Sequence, residues 1–442
     1  MTQDIERQSQ TYIVRQEDYA SPEFARLEKE RMWPKTWLAV CREQEIPRVG
    51  DTFAYEICDD AIFVVRSATD TIRAFYNVCP HRGRMLVTED RKRSTRFHCP
   101  FHGWTFNLNG KCTHVHYAED WGDDLASQDT SLSSVRCETW AGWVFINQDP
   151  DALPLSDYLG IAAQRLDPFE YDRQQIAWNC SVVVNANWKV VLEAFAEGYH
   201  IRATHPQQSP VLDHERMRTQ GAGLHGYLGT NPELPMVEET KPIPERDDIR
   251  PVVLEFIRQL AFDVASLYSP RDMTAATRIM TEMEPTTSEA QVQMAIMNYR
   301  KEAALAAGVG WPDMTIEELF MGAAVWQIFP NMIVLTGPTA SLWYRTTPLG
   351  TGEDPGSCVL EFMALERFVD GFSPEHRKRH FEDWHDLLET LPSFLAQDFG
   401  NLPFMQKGVR SRGFRGAILN PLQEEVIANH HRQLRKMLGL EE

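Results

Sequence analysis

Cys79-Pro-His81-Arg-Gly83 and Cys99-Pro-Phe-His102-Gly103-Trp104 are the two stretches that decide how this chain reads. Seventeen residues separate His81 from Cys99, and each stretch sets one Cys and one His in a turn built with Pro and Gly. Two such loops can clasp one object between them. A Cys₂His₂ set can hold a tetrahedral zinc. The same four side chains can instead hold a two-iron cluster, with two thiolates on one iron and two imidazoles on the other. Zinc fingers pair like ligands, as C-x₂₋₄-C and H-x₃₋₅-H, whereas these pairs are C-x-H and C-x-x-H.

Taken whole, the CPHRG and CPFHGW pattern resembles the Rieske iron–sulfur domain. The resemblance implies that Cys79 and Cys99 bind one iron of a [2Fe–2S] cluster and that His81 and His102 bind the other. His98, His114 and His116 fit neither loop and read as surface or supporting residues. The other six cysteines show no ligand spacing and read as buried small apolar residues.

Outward from the loops, short alternating runs such as Asp51–Ile57 and Ala61–Val65 predict strands. Asn109-Gly110 predicts a hairpin, and Trp140–Ile146 closes a small all-β unit. Before it, Tyr19–Trp37 reads as a helix with Pro22 in its first turn. After it, the turn-rich Asn147–Pro154 reads as a linker. The expected organisation is a helical segment over residues 1–37, the small β domain over 38–150 and an α+β domain over 151–442. In the last, Gln175–Val184, Ala323–Arg345 and Ser357–Glu366 read as strands, and Trp188–Tyr199 (with Trp188, Val191, Leu192, Phe195 and Tyr199 on one apolar face), residues 246–308, Asp383–Leu402 and Gln423–Leu438 as helical.

A second constellation lies in Asn187-Trp-Lys-Val-Val-Leu-Glu-Ala194-Phe-Ala-Glu197-Gly-Tyr199-His200-Ile-Arg-Ala-Thr-His205-Pro206. Glu197 and His200 are three apart, on one face of a helix. His205 lies about 140° round an ideal helix from His200, so both rings meet one metal only if the helix ends or distorts between them. Gly198 and Pro206 allow that.

This stretch resembles the NWK…ENF-x-E-x-Y-H-x₄-H-P segment of Rieske non-haem iron oxygenase large (alpha) subunits. The resemblance implies a facial triad of His200, His205 and a distant carboxylate on one mononuclear Fe(II). The best match for the third ligand is Asp398 in Ala396-Gln-Asp398…Gln406-Lys-Gly408, which resembles the family's D-x₇-Q-x-G segment. Asp383, Asp386 and Glu389 read instead as the polar face of a helix. Ile328-Phe-Pro-Asn331 and the C-terminal helix also fit, so the resemblance covers nearly the whole chain. The implied fold is a Rieske domain followed by a helix-grip-like domain on an antiparallel sheet.

The family resemblance implies a terminal oxygenase fed from NAD(P)H through a ferredoxin or flavin reductase. It acts on O₂ and a small organic molecule, as a homotrimer or as α₃β₃ with a small β subunit. The reaction expected first is hydroxylation, foremost dihydroxylation, of an aromatic or apolar substrate. The second reading is monooxygenation or oxidative O- or N-demethylation, and the third is an electron carrier with no chemistry of its own. Electrons are expected to cross from His102 of one chain to His200 of the next through Glu197. Two departures bear on the choice. Ala194 stands where the family's Asn is usual, and Glu197 stands where many ring dihydroxylases carry Asp. Relatives with Glu there include oxygenases of alkylammonium substrates. Ala194, Leu212 and Ile328 are expected in the substrate wall, and Met294, Met297 and Tyr299 in core packing or, as the alternative, in a lid.

Composition sets the outer limits. Forty-four Lys+Arg against 63 Asp+Glu in 442 residues leave a formal charge of -19. That disfavours a general nucleic-acid binder or a polybasic membrane-surface protein. No run approaches the ~20 apolar residues of a membrane span, and the polar start carries no signal-peptide pattern. A cytoplasmic protein is the expectation. Against the acidic whole, Arg82, Arg84, Arg91, Lys92, Arg93 and Arg96 form a local basic cluster, read as a solvated loop or a docking patch for an acidic donor.

Overall fold

A computed structural model describes residues 11–208, 217–229, 247–322, 324–372, 374–375, 378–388 and 393–440. The chain divides into two compact units, one formed by Arg26–Tyr158 with Gly350–Glu353 and the other by the rest.

In the smaller unit, strands β1 (Leu38–Arg42), β2 (Thr52–Ile57), β3 (Asp60–Ala68), β4 (Thr71–Tyr76), β8 (Ser134–Trp140) and β9 (Trp143–Asn147) form one sheet in the order β1-β9-β8-β4-β3-β2. A second sheet joins β5 (Phe97–His98), β6 (Thr105–Phe106) and β7 (Cys112–His114). The expected Asn109-Gly110 turn links β6 to β7: Gly110 has φ +80°, and Asn107 Oδ1 accepts from the backbone N–H groups of Asn109 and Lys111 at 3.0 Å. Phe63, Phe75, Phe97, Trp104 and Phe106 pack together, and Cys79 and Cys99 are buried in the same cluster. Each such aromatic contributes about 2–3 kcal/mol by leaving water, so the two loops stand on a rigid floor.

The larger unit holds an eight-stranded sheet. Its strands are β10 (Gln175–Val184), β11 (Thr219–Ala222), β12 (His225–Leu228), β13 (Val325–Ile328), β14 (Met332–Leu335), β15 (Ala340–Pro348), β16 (Cys358–Glu366) and β17 (Arg379–Phe381). They run in the order β11-β12-β13-β14-β15-β16-β10-β17, antiparallel except for β10 with β17. The helices that matter for the site are α1 (Gln16–Ala20), α2 (Pro22–Leu27), α3 (Trp188–Glu193), α4 (Ile201–Thr204), α5 (Ser393–Phe399) and α6 (Glu425–Leu438). Helix α3 packs on β15 and β16, and α6 on β11 and β12. The mixed α+β architecture therefore matches the expectation from sequence.

Several elements differ from the sequence reading. The helix expected over Tyr19–Trp37 breaks at Ser21, which is extended, then restarts at Pro22 and tightens into a 3₁₀ turn at Trp33–Lys35. Trp188–Tyr199 is not one helix: α3 stops at Glu193, and Tyr199, expected on its apolar face, is 55% exposed. Within Asp383–Leu402 the described residues form helix Trp384–Leu388 and α5. Of the six remaining cysteines, 41, 180 and 358 are buried, whereas 58, 112 and 137 are only partly so. In helix Glu289–Ala306, Val292 and Ile296 take the core and Tyr299 packs against them, while Met294 is exposed.

Candidate active site

The two Cys/His loops have the same internal hydrogen bonding. Cys79 N donates to Arg84 O at 2.9 Å and Gly83 N to Cys79 O at 2.9 Å; Cys99 N donates to Trp104 O at 2.8 Å and Gly103 N to Cys99 O at 3.0 Å. Gly83 and Gly103 both have φ +76°, a conformation that favours glycine. At Gly103 space adds to the requirement, because a Cβ would lie 2.2 Å from the His116 ring. His98, His114 and His116 are all exposed, and the His116 ring lies against Gly103.

The rings of His81 and His102 stand 4.4 Å apart, and His81 stacks on Trp104 at 5.1 Å. Nδ1 of His81 and Nδ1 of His102 are buried with no hydrogen-bond partner. Orphaned buried nitrogens of that kind call for a ligand. Burial, and then Cys99 beside it, push the Cys79 thiol up to about 11 against the backbone N–H groups of His81 and Arg82, which lower it; a bound cation would displace that proton. Two thiols and two free imidazole nitrogens on matched loops fit a [2Fe–2S] cluster.

The second constellation comes together across the larger unit. Past Glu193 the chain makes tight turns, with Phe195 N donating to Leu192 O and Ala196 N to Glu193 O. At Gly198 a Cβ would lie 2.6 Å from Cε of Met217, so a larger residue at this bend would require the Met217 side chain to move. His200 and His205 then bracket the single-turn helix α4 as its N-cap and C-cap residues, His205 leaving the helix at φ −120°, ψ 60° just before Pro206. That distortion resolves the awkward spacing of the two rings. Asp398 arrives from α5.

Nitrogens of His200 and His205 and an oxygen of Asp398 lie within 4.8 Å of one another. Asp398 Oδ1 is 3.0 Å from His205 Nε2 and 3.7 Å from His200 Nε2. Each outer nitrogen is engaged elsewhere: His200 Nδ1 faces Glu197 Oε1 at 2.7 Å, and His205 Nδ1 faces Gln397 Oε1 at 2.7 Å. With its proton on Nδ1, each imidazole turns the lone pair of Nε2 toward Asp398. His205 Nε2 is buried without a hydrogen bond, and a lone pair facing a carboxylate needs a cation between them. Burial opposes charge on His200, yet Glu197 and Asp398 outweigh it and raise its pKa, so the field here already favours a positive ion. The donor set fits a mononuclear iron.

Sequence reasoning missed three neighbours. Gln397 orients His205 and also accepts from Gln207 Nε2 at 2.7 Å; Phe394 stacks on His205 with centroids 3.7 Å apart. Glu424 is raised to about 7, first by burial and then by Glu197 and Glu193. Only Gln397 carried a sequence signal, its position beside Asp398 in the matched segment. Glu197 is a local cap as well: Oε2 accepts from His200 N at 3.2 Å and from Tyr199 N. Among the residues expected in the substrate wall, Ala194 is the C-cap of α3, and Ile328, at the end of β13, is 1% exposed. Leu212 lies outside the described residues, as does Glu389. Asp383 pairs with His385 and is not among the triad.

The sequence matches two family models, the Rieske [2Fe–2S] domain over residues 36–128 and the ring hydroxylating alpha subunit (catalytic domain) over residues 157–440. The chain is 35% identical over 191 residues to the carnitine monooxygenase oxygenase subunit of Escherichia coli (strain K12), covering 43% of this chain and 51% of that protein. It is 31% identical over 230 residues to the large oxygenase component of the naphthalene 1,2-dioxygenase system of Pseudomonas putida, covering 49% and 50%. The chain spans about half the length of the curated relatives it matches. Among solved structures it resembles a quaternary ammonium Rieske monooxygenase in complex with L-carnitine, with TM-score 0.64, 18% identity and coverage of 96% of this chain and 95% of that one. That likeness concerns the fold. The matched loops, the triad and the two family models lead to one conclusion: the chain belongs to the ring-hydroxylating alpha-subunit family of Rieske non-haem iron oxygenases.

Proposed function

We propose that this chain is the terminal oxygenase of a multicomponent system that inserts one atom of O₂ into a C–H bond beside a heteroatom, foremost the nitrogen of a small alkylammonium or N-methyl compound. The observation that carries this reading is the convergence of His200, His205 and Asp398 in a chain that also carries the matched Cys/His loops. The matched carnitine monooxygenase subunit supports monooxygenation over the dihydroxylation expected first, and Glu197 agrees with it. The overall reaction is R–H + O₂ + 2 e⁻ + 2 H⁺ → R–OH + H₂O. On carbon bonded to nitrogen, the product collapses to an amine and a carbonyl compound.

In this account Cys79, Cys99, His81 and His102 hold the cluster, and His200, His205 and Asp398 hold the Fe(II). When bound, the cluster supplies single electrons and the iron supplies the centre at which O₂ is activated. Glu197 and Gln397 keep the protons on the outer imidazole nitrogens, fixing each ring and its free lone pair. Glu197 also sets its carboxyl group against His200, where a relay from His102 of a neighbouring subunit would arrive in a homotrimer or α₃β₃ assembly. Ala194 and Ile328 are read as bordering the substrate. Arg82, Arg84, Lys92, Arg93 and Arg96 are exposed and suit docking of an acidic ferredoxin or reductase. No helix among the described residues is long and apolar enough to cross a membrane.

A second reading, ring dihydroxylation, is supported by the match to the naphthalene dioxygenase component and by the absence of charged side chains from Val325 to Tyr344. The two separate in one assay. The chain, a surrogate reductase and ferredoxin and NADH are given quaternary ammonium compounds, N-methyl amines, methyl ethers and arenes. An amine with a carbonyl partner is the expected product; a dihydrodiol would establish the second reading instead. NADH oxidation with no product from any class would count against both.

A further inference from the structure

Away from the triad, Asp18, Glu193, His431 and Arg435 form a buried charged set drawn from α1, α3 and α6. His431 Nδ1 lies 3.0 Å from Asp18 Oδ2, and its Nε2 lies 2.7 Å from Glu193 Oε1. The second oxygen of each carboxylate is also taken: Arg435 Nη1 donates to Asp18 Oδ1 at 2.6 Å, and Tyr19 Oη donates to Glu193 Oε2 at 2.7 Å. The Tyr19 ring meets His431 edge-on at 5.2 Å.

An imidazole with a carboxylate oxygen on each nitrogen needs an N–H at both. A neutral ring would set a lone pair against a buried carboxylate, and such an unpaired acceptor is costly away from water. Two carboxylates against His431 and Arg435 also balance. Glu193 is the last residue of α3, and the seven residues after it make the turn that delivers His200. The bridge thus clamps the end of the helix that feeds the triad.

We propose that His431 is a positioning residue: as an imidazolium held between Asp18 and Glu193, it fixes the end of α3 and so sets where the Glu197–His200 turn presents its ring to iron. The inference rests on the iron-site reading above. Other groups around it agree. Burial alone lowers a histidine, but Glu193 and Asp18 outweigh it and keep His431 above the ordinary range. His430, equally buried, is driven well below that range by burial and then by the charges of His431 and Lys189. Glu17 lies 3.3 Å from Arg435 on the same side, and Glu424 raises Tyr19 and is itself raised by burial and, among its neighbours, by Glu193.

A rival assignment is a second cation on Glu193, His430 and His431, whose donor atoms also lie within 4.8 Å of one another. It would require an unprotonated nitrogen on His431. The test uses the full chain with its cluster, as wild type, His431→Gln, His431→Lys and Glu193→Gln. Imidazole ¹⁵N signals of oxidised, zinc-loaded protein report the protonation of His431, assigned by its loss in the variants. Iron-free protein is titrated with Fe(II), and the nitric oxide adduct of the bound iron is read by EPR. Visible absorption of the Rieske cluster serves as the folding control.

The expected results are two protonated nitrogens on His431 at pH 7 and about tenfold weaker Fe(II) binding in His431→Gln, the size of effect seen for groups behind metal ligands. The EPR spectrum of the adduct shifts while the cluster absorption does not, Glu193→Gln gives the same shift, and His431→Lys recovers most of the affinity. A neutral His431 at pH 7, wild-type Fe(II) binding in both neutral variants, or a second zinc held by His430 and His431 would overturn the proposal. A wild-type chain whose His431 reads as imidazolium but which takes up no iron would refute the iron reading and the positioning role together.

Discussion

Nδ1 of His205 lies 2.7 Å from Oε1 of Gln397, the residue immediately before Asp398. One helix therefore supplies the carboxylate of the triad and, from the adjacent position, the side chain that fixes the tautomer of a triad histidine. Gln397→Leu removes that acceptor and leaves the carboxylate. We expect Fe(II) affinity to fall about 10–100-fold, measured by equilibrium titration, with the cluster spectrum unchanged. Wild-type affinity would show that His205 holds its ring without Gln397.

Glu197→Gln keeps an acceptor for His200 Nδ1 but removes a charge. Both metals should remain, and steady-state turnover should fall by about two orders of magnitude if the carboxylate carries the link to the neighbouring cluster. Full activity would end that assignment.

His200→Ala deletes one of the three converging donors. Metal analysis should show loss of mononuclear iron, while the two irons of the cluster and its absorption persist in the separate small unit. A variant that retains all iron would place the mononuclear site elsewhere.

Glu361 tests the sheet beneath the site. Burial works to raise its pKa, but Arg345 and Lys378 outweigh burial and hold it at about 2. Its Oε2 lies 2.8 Å from Arg345 Nε on the neighbouring strand. A folded value below the unfolded one stabilises the protein above the ordinary carboxylate range, and the gain is lost as pH falls from about 4.5 toward 2. Glu361→Gln should therefore destabilise by about 3 kcal/mol at pH 7 and by much less near pH 3, as read by denaturant unfolding. An equal loss at both pH values would contradict the charge argument.

The convergence of His200, His205 and Asp398 and the pairing of the two Cys/His loops were legible in the sequence because Cys, His and Asp at these spacings have few other uses, and the small β unit was legible from alternation and Asn-Gly. The course of the chain between Glu193 and His205 was less so. Helix-forming residues run from Trp188 to Ala196, and only Gly198 signalled the break, so the helix read long and Tyr199 was put on its buried face. Gln397 and Glu424 act through residues about 190 and 230 positions away along the chain. Such contacts have no local pattern. The Asp18–His431–Glu193 bridge was invisible for the same reason, joining residues 18, 193 and 431.

Product mass spectrometry under ¹⁸O₂, with the reconstituted electron-transfer partners and a quaternary ammonium or N-methyl substrate, tests the central claim most directly. The account predicts one ¹⁸O atom in the carbonyl fragment, trapped before exchange, with release of the amine and loss of activity in His200→Ala. Two ¹⁸O atoms in one product from an arene would make the chain a dihydroxylase, and unlabelled product from every substrate would contradict the oxygenase assignment itself.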